Sequence, residues 1–128
     1  MPATEITKPI ILSITPVSKP RMVRSDAWAK RPAVLRYWEF KDELVALWGD
    51  RDLPEQIGLI FVLPMPEGWG EKKKLLMDGK PHQQKPDADN LCKAVWDCLA
   101  ESDSYIWHVK IIKRWGREGS ITISNLGE

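Results

Sequence analysis

The spacing of apolar residues changes several times along the chain, and each change marks an element. Residues 8–15, KPIILSIT, form a short β-branched run closed by Pro16, which predicts a strand. The next stretch, PVSKPRMVRSDAWAKRP, carries three prolines and little periodicity, so it predicts a long connection. Over residues 32–48, Tyr37, Phe40, Leu44, Leu47 and Trp48 recur at three- and four-residue intervals, with Arg36, Glu39, Asp42 and Glu43 between them. That is a helix, with Pro32 suited to its first turn and Gly49 to its C-terminal cap. Residues 56–63, QIGLIFVL, are continuously apolar and end at Pro64, as in a strand buried on both faces. Residues 64–86, PMPEGWGEKKKLLMDGKPHQQKP, read mainly as a mobile basic loop, with a short helical turn around 71–77. Residues 87–100 form a second main helix, with Leu91, Ala94, Val95, Cys98 and Leu99 on one face and Asp89, Lys93 and Asp97 at four-residue steps on the other. Beyond it, residues 105–115 and 117–125 are β-like, and Gly116 and Gly119 between them predict an antiparallel hairpin turning at 116–119.

The element order β-α-β-α-β-β predicts an α/β (α+β) domain, a single mixed sheet of about four strands with two main helices against it. At 128 residues the chain is expected to be one domain, 1–128. Its composition, 43% hydrophobic with seven tryptophans, is globular; Trp38, Trp48 and Trp96 are assigned to the core. Trp28, Trp69, Trp107 and Trp115 are left over for an interface or for stacking on unpaired bases. No apolar run approaches the ~20 residues needed to cross a bilayer, and MPATEITKPI lacks the apolar segment of a signal peptide. A cytoplasmic protein with no membrane partner is expected. Cys92 and Cys98 are more than a turn apart on one helix, too far for a disulfide, and no second cysteine pair or His-x-x-x-His completes a zinc site.

A net charge of +1 conceals an uneven distribution. Residues 19–36 carry Lys19, Arg21, Arg24, Lys30, Arg31 and Arg36 against Asp26, and residues 72–85 carry Lys72, Lys73, Lys74, Lys80 and Lys85 against Asp78. Two basic connectors on an acidic remainder read either as solvated loops or as a polyanion-binding surface.

The acidic chemistry concentrates in PDADNLCKAVWD, residues 86–97. Aspartates at a helix start ordinarily accept its unpaired N–H groups and complement its dipole. Here Pro86 places Asp87 at or just outside the cap, so that Asp87 and Asp89 are able to converge. Asp103 follows in a short connection before the next strand, and Lys93 lies one turn below Asp89. Carboxylates in a basic surround suit phosphodiester hydrolysis, in which hard oxygens hold Mg2+ and a lysine offsets phosphate charge. From the residues alone, capping and metal binding both stand.

The run KPDADNLCKAVWDCL followed by SDSYI resembles the RusA family of Holliday-junction resolvases, whose signature is Pro-Asp-x-Asp-Asn-Leu-x-Lys, a further Asp on the helix, and an Asp shortly before a strand. Gly79, His82 and Lys85 are similar to the family's polar lead-in, and SKPRMVR to its basic N-terminal segment. The resemblance implies a homodimer that binds four-way junction DNA and makes paired symmetric cuts, with Mg2+ and no small-molecule cofactor. It implies Asp87, Asp89 and Asp103 as the metal-binding carboxylates and Lys93 as the catalytic lysine at the scissile phosphate, with Asn90 and Asp97 in support. Lys19, Arg21, Arg24, Lys72, Lys73, Lys74 and Lys85 are then expected to grip backbone phosphates. The family often has two adjacent aspartates before the last strand pair; here Ser102 precedes Asp103, which leaves Glu101 as a rival third carboxylate. Two other functions stay open: a non-catalytic protein binding branched or single-stranded DNA, and a nuclease of the same fold acting on other branched nucleic acid.

Overall fold

The computed structural model describes residues 6–20 and 32–127. Its elements are β1 (Ile10–Leu12), α1 (Pro32–Trp48), β2 (Gln56–Pro64), α2 (Glu71–Met77), α3 (Ala88–Leu99), β3 (His108–Gly116) and β4 (Ser120–Asn125). The four strands make one mixed sheet in the order β1-β4-β2-β3. The expected fold class therefore holds, with the helical turn at 71–77 present as a short third helix. The N-terminal strand is shorter than its apolar run, because Pro9 precedes it and Ile14 turns back with its N–H on the Leu12 carbonyl, 2.9 Å.

The predicted hairpin is not there. β3 pairs in parallel with β2, while β4 pairs antiparallel with β2 on the other side and with β1 beyond. β2, the long stretch carrying α2 and α3, and β3 thus form a parallel crossover unit, and the short link after Gly116 passes the end of β2. There the Met65 N–H donates to the Gly116 carbonyl at 3.0 Å. Gly119 permits this passage, since a Cβ on it would lie 2.6 Å from the Thr15 Cα. The physical reason for the different topology lies in β2: an apolar run this continuous needs a strand on each edge, and β3 and β4 supply them.

One face of the sheet carries the core. Ile57, Leu59, Phe61 and Leu63 of β2, Ile121 and Ile123 of β4 and Leu12 of β1 are buried against Tyr37, Phe40, Leu44 and Trp48 of α1 and Leu91, Ala94 and Val95 of α3. Gly49, at φ 71°, ends α1 with its N–H on the Val45 carbonyl. Two tryptophans depart from expectation. Trp38 projects from α1 at 41% exposure, because it lies off the buried stripe of Val34, Tyr37, Phe40 and Leu44; Trp115, taken as surplus, is buried.

Residues 78–86 are not the mobile loop expected. They line the outer edge of β3, where the Gly79 N–H donates to Trp115 O (2.8 Å), Trp115 N–H to Lys80 O (2.9 Å) and His82 N–H to Lys113 O (3.1 Å). Backbone groups of an edge strand seek partners, and this segment provides them.

Candidate active site

The segment that covers β3 delivers the chain to the start of α3. Asp87 is the N-cap residue, with extended backbone (φ −70°, ψ 148°), and its carbonyl accepts the Leu91 N–H at 3.1 Å. Its side chain makes no capping hydrogen bond. Of the two ordinary reasons for an aspartate here, the capping bond is not used and only the complement to the helix dipole remains, and the exposed Asp87 carboxylate is open to a ligand. Asp89 stands in the first turn with its side chain 69% exposed, and the Lys93 ammonium lies 3.7 Å from its carboxylate. An exposed pair one turn apart is worth only about 0.3–0.5 kcal/mol, so both groups remain able to meet a ligand. Asn90 is half-buried beside them.

The connection after α3 returns along the helix. An open groove there is lined by Lys93, Trp96, Asp97, Glu101, Asp103 and Lys19. Burial, and then the charges of Asp103 and Asp89, push the Cys92 thiol up to about 11. A single buried side chain thus feels both carboxylates. Among the described residues, no three carboxylate, histidine or cysteine side chains are drawn together as a closed metal cluster. Of the acidic groups, Asp97, Glu101 and Asp103 line the open groove, and Asp87 and Asp89 stand exposed at the start of α3. Both cysteines are free.

Asp97 does different work. The Tyr37 hydroxyl donates to it at 2.5 Å and the Lys19 ammonium at 3.0 Å, tying α3 to α1 and to the N-terminal segment. The tyrosine hydrogen bond, helped by Lys19, holds this carboxyl below its usual range despite partial burial. Burial and the same hydrogen bond push the Tyr37 phenol well above its usual range. Lys19 is thereby held beside Lys93 in the groove with its side chain 40% exposed. Arg21 and Arg24 lie outside the described residues.

Of the second basic group, Lys72 is exposed and Lys74 half-buried on α2, and Lys85 is exposed just before the motif. Lys73 places its ammonium 4.2 Å from the Trp69 ring centroid. Trp69 in turn meets Trp115 at 4.8 Å, and Trp115 meets His82 at 4.1 Å. The column joins α2 to the covering segment. The sequence shows these residues as scattered aromatics and gives no sign of the stack, since it forms only once residues 78–86 lie on β3.

His82 is 5% exposed, and its Nδ1 has no hydrogen-bond partner among the described residues. Burial first, then the positive charge of Lys113, lowers its pKa from the usual 6.5. The unfolded chain therefore takes up a proton that the folded one refuses, and stability is lost as pH falls through 6.5 toward the folded value. The thermal midpoint is expected to drop on acidification from about pH 7 to about pH 5, and His82→Phe, which keeps a ring against Trp115, is expected to flatten that drop. An equally steep drop in the variant would assign the loss to other groups.

The family model Endodeoxyribonuclease RusA matches residues 13–124. The chain belongs to the RusA endodeoxyribonuclease family. The match begins just after β1 and runs into β4, so it covers β2, β3, nearly all of β4 and the helix α3 that carries the RusA-type motif. No curated protein matches the chain. No helix among the described residues is long and apolar enough to cross a membrane.

Proposed function

We propose that this RusA-family protein is a Mg2+-dependent, structure-selective endonuclease of the cytoplasm that resolves Holliday junctions as a homodimer. The observation that carries the reading is Asp87: a helix-capping aspartate whose carboxylate does not cap, one residue from the exposed Asp89 and on the helix that carries Lys93. The donor set suits the ion, because aspartate oxygens are the hard ligands that Mg2+ prefers. Asp87, Asp89 and Asp103 would hold Mg2+, which supplies the Lewis acidity that activates water and offsets charge on the leaving oxygen. Lys93 brings a positive charge within reach of the same phosphate and stabilises the charge that builds on it. Lys19, in the groove beside Lys93, and Lys72, Lys73, Lys74 and Lys85 grip backbone phosphates without reading sequence. Two incisions related by approximate two-fold symmetry call for two such sites, which a symmetric dimer supplies.

The test incubates purified protein with a labelled four-way junction, a linear duplex and a branched RNA, each with Mg2+ or EDTA. Paired symmetric nicks in the junction, present with Mg2+ and absent with EDTA, are expected. Junction binding without cutting under any divalent metal would replace this reading with a binding protein, and equal cutting of the three substrates would replace it with a less selective nuclease.

A further inference from the structure

We propose that Lys113 of β3 is a positioning residue of this site: it holds the two carbonyls that precede Asp87 and so sets the geometry in which Asp87 and Asp89 take a divalent cation. The inference rests on the reading of those aspartates as metal ligands.

The pairing of β3 with β2 puts Val109, Ile111, Lys113 and Trp115 on the same face as Ile57, Leu59, Phe61 and Leu63. Lys110 and Arg114 point to the opposite face. Lys113 is thus a half-buried charge on the core side of its strand, directly across from the fully buried Phe61. A lysine in such a place needs strong acceptors for its ammonium. It has two: Nζ donates to the Gln84 carbonyl at 2.6 Å and to the Pro86 carbonyl at 2.7 Å. Both are charge-assisted bonds to backbone, and the backbone carbonyl of Lys113 itself accepts from His82 at 3.1 Å. One residue therefore grips the lead-in at positions 82, 84 and 86.

The Pro86 carbonyl lies in the planar peptide unit that ends at the Asp87 Cα, so fixing that oxygen fixes the plane from which Asp87 departs. Asp87 has no capping bond of its own to orient it. The ammonium bond one residue earlier does so instead, in the way that outer groups orient the ligands of other metal sites.

The test uses full-length Lys113→Met, which keeps the apolar stem and removes the donors, with Mn2+ as a spectroscopic probe of metal binding. Loss of an outer orienting group costs roughly 10–100-fold in metal affinity, so the Mn2+ Kd and the Mg2+ concentration giving half-maximal cleavage are both expected to rise at least about tenfold. Junction affinity in EDTA is expected to stay within about twofold of wild type, because Lys113 is engaged with the chain and not with DNA. A Mn2+ Kd equal to wild type would overturn the proposal. Should Lys113→Met fail to fold, Lys113→Gln is measured in its place, with the same weakened Mn2+ binding expected and an unchanged Kd overturning it. Wild-type protein that binds no Mn2+ would refute the metal reading itself, a result distinguishable from failure of the Lys113 role.

Discussion

Asp89→Asn is expected to slow junction cleavage by about a thousandfold or more while leaving junction binding in EDTA unchanged. A metal at a scissile phosphate contributes several kcal/mol of charge stabilisation, and each 1.36 kcal/mol is tenfold in rate, which sets the size of the loss. The substitution changes almost nothing else. Asp89 is exposed, its pair with Lys93 is weak, and its interaction with the helix dipole is worth at most about 1 kcal/mol. Asp87→Asn is the matching control for the cap, because asparagine serves as well as aspartate at that position. It should leave the thermal midpoint nearly unmoved and remove cleavage to a similar extent. Single-turnover assays on a labelled junction, with binding measured separately, check both. Cleavage by either variant within about tenfold of wild type would mean that its carboxylate is not a metal ligand.

The helices were legible from sequence because their signals are local. The three- and four-residue recurrence from Tyr37 to Trp48, between Pro32 and Gly49, marks out α1. The acidic motif was legible for the same reason: Pro86, Asp87, Asp89 and Lys93 all act within two turns of one helix. The sheet order was not. Gly116 and Gly119 announce a short link, but a short link carries no information on whether the strands it joins pair with each other or with a third between them. The stronger cue was the unbroken apolar run of β2, which implies two flanking strands without saying which. The role of residues 78–86 was hidden for a related reason. Their hydrogen bonds go to a strand that follows them by some thirty residues, and composition alone made them a basic loop. Lys113 was concealed by its neighbours: in KIIKRW it resembles the other surface charges of an edge strand, and only the register with Phe61 reveals that it faces inward.

The third carboxylate is where sequence left two residues open, and the structure makes their expected effects unequal. Glu101 and Asp103 both line the groove along α3. Glu101 also lines the neighbouring groove with Arg51, Leu53 and Tyr105, at the C-terminal end of the helix and away from Asp87. Asp103 alone joins Asp89 in raising the Cys92 thiol. Asp103→Asn is therefore expected to lose about a hundredfold or more in cleavage, and Glu101→Gln no more than about threefold. A group that shares a metal with Asp89 should also fail to add to it: the double variant Asp89→Asn, Asp103→Asn is expected to cleave no more slowly than Asp89→Asn alone. A readout independent of catalysis comes from the thiol. Removing the Asp103 charge should lower the Cys92 pKa from about 11, followed by thiolate absorbance in a Cys98→Ser background, whereas Glu101→Gln should leave it in place. If Glu101→Gln proves the damaging change, the serine at position 102 marks a real relocation: the third ligand then comes from the end of α3, and the connection to β3 serves only to close the groove.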